Sequence, residues 1–447
     1  MKRLVGAFAL VPGTACACAL PPSAILLLPT GHYILGAGLT VGITALIGAF
    51  SHRLPLMTPR LIYAGPSRFP FLLTCYLSFL GFLALLMIGY FGPTDPMHNL
   101  LTLGIWTGVW IVLPLACMVG GNLWAGLNPW IGPVRMARKL IGRTALAGLA
   151  RFGHWPAVVG LLGFSWFQIV AMAPDDPTIL AQIALIYWLA VFVAAVAEGE
   201  DWLQQGEFLT VFMGMVARIA PFWRQRMAGH VQGFIGWPGA QVGLIKPLDM
   251  SEMAFVTLAL AALTFDGLSE TFFWLGLIGQ NPLEFAGRSA VLGVNTAGLL
   301  GAWALTALAI GGVLWLGQRL DHSFAGRRIA LSFLAIASGY HAAHYLVTLL
   351  TAGQFAIAAL NDPLYRGDDF LGLPPFYISY GFLGDGAVIT LIYAAQFVVI
   401  FGAHLLAVIL ALRLAGRARA VAHLPLTMLM VGYTVLGLWL LSTARGA

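Results

Sequence analysis

Two histidines lie three residues apart in "ASGYHAAHYLVTLL", residues 337–350, a stretch that is otherwise largely apolar. Because a helix places residues i and i+3 on one face, His341 and His344 are expected to project in the same direction. Two neutral imidazoles at this separation can share one metal ion or flank one polar ligand. Since ionisable side chains inside an apolar span usually face a bundle interior, the pair predicts a functional site at membrane depth.

An aspartate and a third histidine lie in similar apolar surroundings: Asp266 in "ALTFDGLSETFFW" and His404 in "VIFGAHLLAV". At 1.5 Å per helical residue, both lie with His341 and His344 at depths of about 12 to 22 Å from one membrane face. Three imidazoles and one carboxylate would suit a zinc, copper or iron site, and they would equally suit a proton relay. The alternative is that the histidines are hydrogen-bonded links between helices.

The residues around Asp266 predict irregular helix geometry. Gly267, Ser269 and Glu270 follow it directly, which indicates a helix that is broken or distorted inside the membrane. Asn295, in "NTAGLLGAW" on the next apolar stretch, would extend the polar surface as a ligand-binding side chain. The alternative for this stretch is helix packing through the small residues Gly298 and Gly301.

The elements that must position these residues are apolar helices. Hydrophobic residues make up 60% of the 447 residues and charged residues 9%, and the mean hydropathy is +0.88, which is outside the range of soluble domains. We predict an all-α, polytopic transmembrane helix bundle with about ten spans. The spans are 31–50, 69–91, 98–120, 155–173, 178–197, 253–280, 290–316, 329–351, 387–412 and 422–442.

Charge in the loops predicts the orientation of the chain. Of the 23 lysines and arginines, 18 fall in five alternate loops, and the opposite loops are mostly acidic. Cytoplasmic loops retain positive charge during insertion, so we predict a bacterial inner-membrane protein whose mature N- and C-termini are periplasmic. This placement explains the net charge of +6 without a nucleic-acid partner. Membrane lipid is the expected surrounding partner.

Three segments complete the domain organisation. Residues 1–20 combine a basic start, a short apolar run and small residues, which is typical of a signal-like leader. Residues 31–442 form a single transmembrane helical domain. Within it, 198–252 is predicted to be an interfacial segment with a helix at the cytoplasmic surface, and 352–386 a periplasmic loop over the bundle.

The chain resembles a bacterial family of polytopic membrane proteins labelled fenitrothion hydrolase-like. The matching stretches run in order from about residue 60 to 442 and are "NLWAGLNPW", "FDGLSET", "NTAGLLG", "HAAHYLVTLLTAGQ", "NDPLYRGDDFLG", "QFVVIFGAHLLAVILA" and "MLMVGYTVLGLWLLS". The resemblance implies hydrolysis of an apolar aryl phosphotriester. It also implies roles for the recurrent polar positions, which fall here on Asp266, Asn295, His341, His344, Asp362 and His404.

Three classes of function therefore remain open. A hydrolase would use a bound metal to activate water, with Asp266, His341, His344 and His404 as ligands and Asn295 and Asp362 as further binding residues. A proton-coupled transporter of a small molecule or metal would use the broken helix and the titratable histidines. A redox subunit of a membrane complex with unknown partners would bind haem or copper through the histidines.

Overall fold

The computed structural model describes residues 31–50, 58–66, 71–227, 230–283, 287–373, 378–415 and 418–443. The predicted leader, residues 1–20, lies outside this range. The described chain forms a bundle of α-helices with one small β-sheet. The helices are α1 (Gly31–Phe50), α2 (Phe71–Phe91), α3 (Leu100–Leu103), α4 (Leu113–Gly120), α5 (Trp124–Leu127), α6 (Ile131–Leu140), α7 (Trp155–Ile169), α8 (Pro177–Glu198), α9 (Leu203–Gly206), α10 (Phe208–Val216), α11 (Met250–Ser269), α12 (Phe272–Leu277), α13 (Arg288–Leu320), α14 (Gly326–Ile329), α15 (Phe333–His344), α16 (Leu346–Asn361), α17 (Gly386–Ala415) and α18 (Ala420–Ser442).

The described residues include seven helical segments long and apolar enough to cross a membrane, or eight when one bent pair counts as a span. The helical-bundle prediction is confirmed at this level, and the figure of ten spans stays a prediction. The helix at 155–173 is shorter than predicted, since α7 ends at Ile169 after 15 residues.

The span that carries Asp266 lies at the centre of the bundle. In the apolar stretch of α11, 72% of the residues are buried against other parts of the protein, whereas the buried share of the apolar stretch of α2 is 11%. A helix that is apolar on all sides and buried on all sides belongs to a core. The Asp266 side chain is therefore held away from lipid, as an ionisable group at this depth requires.

Helix α11 continues through Asp266 and Gly267 and ends at Ser269, and the short α12 begins at Phe272. The predicted break after Asp266 therefore lies a few residues later than Gly267. The side chain of Thr271 accepts a hydrogen bond from the backbone N–H of Trp274, which starts α12. The polar residues of "SET" thus form the connection between α11 and α12.

The span predicted at 329–351 is bent. Its two parts, Gly326–His344 and Leu346–Asn361, meet at an angle of 56°. Tyr345 occupies the bend, directly after the second histidine of the opening motif. Because α16 continues to Asn361, the loop predicted to start at residue 352 starts ten residues later, and that part of the prediction is corrected.

The third span contains an unusual helix. Between α3 and α4 the backbone forms a π-helix over Gly104–Val112. Such stretches are rare, and they concentrate at functional sites because the wider turn redirects side chains and carbonyl groups. Trp106 and Trp110 lie within this stretch and both reach the site described below.

Contacts between loops define two ends of the bundle. At the end that we call the acidic end, Thr102 donates to the carbonyl of Asp175, and the ring of His98 contacts that of Tyr365 at 4.1 Å between centroids. At the other, which we call the basic end, Arg138 donates to the carbonyl of Val196 and Arg327 donates to that of Leu248. Alternate loops therefore meet at the same end, as the charge pattern predicts.

The segment 199–249 differs from the predicted surface helix. It leaves α8 at the basic end and returns there to start α11, yet seven of the nine residues of α10 are buried. Phe212 of α10 stacks on Trp110 at 5.0 Å and contacts the His341 ring at 5.6 Å between centroids. The segment thus enters the bundle from the basic end and returns to that end, and its largely buried helix α10 is a re-entrant element.

A three-stranded antiparallel sheet of order β1-β3-β2 follows the re-entrant segment, and the sequence analysis did not predict it. The strands are β1 (Arg60–Pro66), β2 (Phe222–Met227) and β3 (His230–Ile235). The hairpin β2–β3 joins β1 across more than 150 residues of sequence, so no local pattern indicates the pairing.

Candidate functional site

Asp266 and His344 form a direct pair in the centre of the bundle. The Nε2 atom of His344 lies 2.8 Å from Oδ2 of Asp266. The two side chains are 6% and 18% exposed, so both are largely withdrawn from solvent. The sequence-based prediction that these residues meet is supported by this contact. The pair lies where α11 approaches its end and where the bent span changes direction.

Gly267 allows the close approach of the two helices at this point. A Cβ atom at Gly267 would lie 3.1 Å from the Tyr340 hydroxyl and 3.6 Å from Cε1 of His344. A larger side chain would push His344 away from α11. The glycine after Asp266 therefore serves helix packing at the site, and the helix does not break there.

Tyr345 links this pair to two further helices. Its hydroxyl donates to Oδ2 of Asp266 at 3.0 Å and accepts from Nε2 of Gln168 at 2.8 Å and from Nε1 of Trp110 at 3.0 Å. Three side chains from separate helical elements, Trp110, Gln168 and His344, thus converge on one phenol and one carboxylate. Such buried networks hold a fixed geometry because each missing bond leaves an unsatisfied polar group.

His341 lies beside this network without joining it through a side-chain hydrogen bond. Its Nε2 atom donates to the backbone carbonyl of Trp110 at 2.9 Å, and the residue is fully buried. Its ring packs edge-on against the rings of Trp110 and Tyr345, at 5.3 and 4.9 Å between centroids. The role that these contacts support for His341 is to anchor the π-helix beside the site.

The other predicted site residues lie elsewhere in the described chain. Nδ1 of His404 donates to the carbonyl of Ile400, one turn earlier in its own helix. Asn295 accepts a hydrogen bond from the Trp274 indole at 2.9 Å. The carboxylate of Asp362 accepts backbone N–H groups of the loop that follows α16. Each has a local structural role in place of a contact with the Asp266–His344 pair.

The predicted metal site requires four side chains around one ion. Within the described ranges, no group of three or more histidine, cysteine, aspartate or glutamate side chains is placed to hold a metal ion. Two of the four predicted ligands are paired with each other, and the other two hydrogen-bond to backbone carbonyls. The residues therefore do not fit a four-ligand centre in this arrangement.

A cavity of about 120 Å³ lies against the Asp266–His344 pair. Asp266, His344 and Tyr345 form part of its wall, and Pro174 and Asp175 lie where it reaches the acidic end. A second cavity of about 10 Å³ shares Asp266 and Tyr345 with the first and is lined in part by Ser165. By volume the first holds a small molecule, whereas the second holds about one water molecule.

Further charged residues line the larger cavity. Glu270 and Asp175 add two carboxylates, and Arg288 adds one guanidinium. Arg288 donates to the carbonyls of Gln168 and Ala171 at 2.8 and 3.1 Å, which fixes it against the end of α7. Cationic side chains commonly satisfy the last carbonyls of a helix in this way. The guanidinium is thus a fixed part of the wall.

The floor toward the basic end is aromatic. Phe164 and Phe212 both pack against Trp110, at 4.5 and 5.0 Å between ring centroids. Directly before Phe208, at the start of α10, the buried Glu207 accepts from the hydroxyl of Tyr187 at 2.5 Å and from that of Thr210 at 2.6 Å. Glu207 also accepts two backbone N–H groups at the start of α10, so its charge caps the re-entrant helix.

An ionic cluster closes the basic end beneath this floor. Glu252 lies 3.6 Å from Arg218 and 4.0 Å from His154, and Asp249 lies 3.8 Å from His154. Burial lowers the pKa of His154 below its usual range, against the opposing effect of the two carboxylates. The cluster ties together the start of α7, the end of α10 and the start of α11.

Several residues of the site were not predicted from the sequence. Gln168 and Tyr345 complete the network, and Trp106 and Trp110 form an aromatic wall. Tyr345 directly follows His344, and Gln168 is an isolated amide in the apolar stretch "GFSWFQIV", so both carry a usable signal. The two tryptophans carry no such signal in the sequence, because aromatic residues are common throughout membrane spans.

Comparisons with protein-family models, with curated proteins and with solved structures found no match to this chain. The assignment of a function must therefore rest on the geometry of the Asp266–His344 pair and of the cavity beside it.

Proposed function

We propose that this integral membrane protein moves a small polar solute across the membrane and couples the movement to protonation of the Asp266–His344 pair. The observation that carries the proposal is the position of the pair. It lies at the bend of a broken span, on the wall of a cavity that reaches one end of the bundle. Substrate sites of secondary transporters commonly lie at discontinuous helices near mid-membrane.

The two states of the pair supply the coupling. When Asp266 is ionised, it accepts hydrogen bonds from His344, the last residue before the bend, and from Tyr345, the residue at the bend. A proton on the Asp266 carboxyl group removes the negative charge that these donors stabilise, so both bonds weaken. The bend then loses its main polar attachment to α11. Protonation thereby favours a different angle between α15 and α16.

In the described arrangement, the site is accessible from the acidic end only. The aromatic floor of Trp110 and Phe212 and the cluster around Glu252 separate it from the basic end. Movement of α10 would connect the small cavity at Ser165 with that end, because α10 supplies Phe212. The proposal thus assigns the gate on the basic side to the re-entrant helix.

Cysteine accessibility tests this proposal. In a cysteine-free background, Thr348→Cys reports on the larger cavity and Ser165→Cys on the smaller one. Both variants are reconstituted in vesicles of known orientation and treated with a membrane-impermeant thiol reagent from each side. Transport predicts labelling of both positions from both sides, at different rates. Labelling from a single side under all conditions would reject alternating access.

A hydrolase is the second candidate, and the Asp266–His344 contact is the observation that favours it. A carboxylate that holds an imidazole is a common arrangement for a general base. The resemblance to fenitrothion hydrolase-like proteins suggests an aryl phosphotriester as the substrate. However, a drug-sized ligand occupies a pocket of roughly 300 Å³ or more, so the cavity of about 120 Å³ would have to widen. Release of a nitrophenol from such a triester, lost in His344→Gln, would favour this candidate.

We also propose the orientation that the loop charges favour. The acidic end would face the periplasm of a bacterial cell and the basic end the cytoplasm, with about ten spans after a leader at residues 1–20. Attachment of a periplasmic reporter enzyme near Asp369 and near Lys139 tests the orientation. Activity of the reporter at Lys139 and its absence at Asp369 would reverse the assignment.

A further inference from the structure

We propose that the cavity beside Asp266 selects small organic monocations, such as alkylammonium ions, over neutral molecules and anions of the same size. The inference rests on the transport site of the proposed function and names the chemical class of its substrate. The cavity combines three features that favour such an ion: an excess of carboxylates, aromatic walls and a small volume.

The charge of the wall excludes anions. Three carboxylates, from Asp175, Asp266 and Glu270, line the cavity together with the single guanidinium of Arg288 and the imidazole of His344. With the imidazole neutral, the wall carries two net negative charges, and one added proton on the Asp266–His344 pair leaves one. The wall is therefore negative in both states, so it attracts a cation and repels an anion. Partial burial strengthens this preference, because screening by water is reduced.

The aromatic residues favour an organic cation over a hydrated inorganic one. Trp106, Trp110 and Tyr345 line the same cavity, and Trp106 is held in place by Phe164 and Phe167, at 5.6 and 6.3 Å between ring centroids. The face of an indole attracts a cation, and recognition of alkylated ammonium groups commonly uses such walls. The methyl groups of the ion gain apolar contacts at the same surface.

The volume limits the size of the ion. A buried cavity of about 150 Å³ accommodates benzene, and the cavity here measures about 120 Å³. The expected ligand thus has roughly six non-hydrogen atoms or fewer. In a cavity of this size, one ammonium group can contact a carboxylate and an aromatic ring at the same time. Bulky cations would be excluded unless the bend at Tyr345 opened.

Calorimetric titration of the purified full-length protein tests the inference. The protein is placed in nanodiscs of uncharged phosphatidylcholine, so that lipid charge cannot bind the probe. The probes are tert-butylammonium, the equally sized neutral tert-butanol and the anion propionate, which has the same number of non-hydrogen atoms. We expect saturable binding of tert-butylammonium and no saturable binding of the other two. Equal binding of all three probes, a preference for propionate, or displacement by potassium at equal concentration would overturn the inference.

Two variants and a matched control locate the binding site. Glu270→Gln removes one wall charge and should weaken binding at least about tenfold, whereas Trp106→Leu removes a ring and should weaken it about threefold to thirtyfold. Asp369→Asn removes the same charge from an exposed position outside the cavity lining and should change the affinity less than about twofold. If Glu270→Gln does not fold, Trp106→Leu carries the test. Unchanged affinity in the folded cavity variants would refute the proposed location.

The outcomes separate this inference from the proposed function. Binding of tert-butylammonium together with single-sided cysteine labelling would support the cation site and reject transport. Labelling of Thr348→Cys from both sides without tert-butylammonium binding would support alternating access and reject the cation preference.

Discussion

Removal of the Tyr345 hydroxyl should destabilise the protein far more than removal of the hydroxyl of an ordinary buried tyrosine. The hydroxyl makes three hydrogen bonds of 2.8 to 3.0 Å, and Tyr345→Phe would leave the donors of Trp110 and Gln168 without that acceptor. Interhelical hydrogen bonds in membranes contribute about 0.6 kcal/mol on average, and an unpaired buried donor costs about 1–3 kcal/mol. The expected loss in the free energy of unfolding is therefore about 2–4 kcal/mol.

Tyr433→Phe is the matched control. The hydroxyl of Tyr433 makes one hydrogen bond, to Thr306 at 3.1 Å, so its loss should cost about 0.5–1 kcal/mol. Unfolding of both variants by titration with sodium dodecyl sulfate in mixed micelles measures the two values under the same conditions. If Tyr345→Phe costs no more than Tyr433→Phe, the hydrogen-bond network around Tyr345 does not hold the bend.

Two further predictions concern packing and charge away from the network. Gly298→Ala should destabilise the protein by about 1–3 kcal/mol, because its new Cβ atom would lie 2.4 Å from the ring of Phe265. The Cβ atom of Gly301→Ala would meet nothing within 4 Å, so this control variant should be neutral or stabilising. Equal losses in unfolding titrations of the two variants would contradict this packing. Hydrogen bonds from the backbone of Arg419 and from Ser323 hold the pKa of Asp321 well below its usual range. The stabilisation of the folded protein by this carboxylate should therefore be complete above about pH 5, and it should disappear as the pH falls through the lowered pKa. The stability difference between wild type and Asp321→Asn should accordingly shrink on acidification, and a difference that grows toward low pH would contradict this assignment.

The sequence identifies the charged pair because its signals are local. An aspartate and three histidines in apolar spans must face the protein interior, and two of these four side chains do meet in the structure. The expected inclusion of His341 and His404 fails for a reason that spacing does not show. Both rings bond to backbone carbonyls, one of them in a π-helix and the other in the ring's own helix.

The re-entrant helix and the sheet are hidden in the sequence for different reasons. Nine residues of α10 are too few to indicate a span, and only tertiary contacts show that they are buried within the bundle. Strand β1 pairs with β3 across a long sequence separation, so neither segment alone indicates a sheet. The cavity likewise depends on side chains from several helices, which no single stretch reveals.

The most direct test of the central claim is the pH dependence of access to the cavity. Labelling rates of Thr348→Cys from the two sides are measured at pH 5.5 and pH 8. The variant is measured alone and combined with Asp266→Asn or the distant Asp369→Asn. The account predicts that the ratio of the two rates changes with pH in the parent and in the Asp369→Asn variant, and that it stays fixed when Asp266 is replaced. The same pH dependence after Asp266→Asn would contradict a role of the Asp266–His344 pair in coupling protonation to movement.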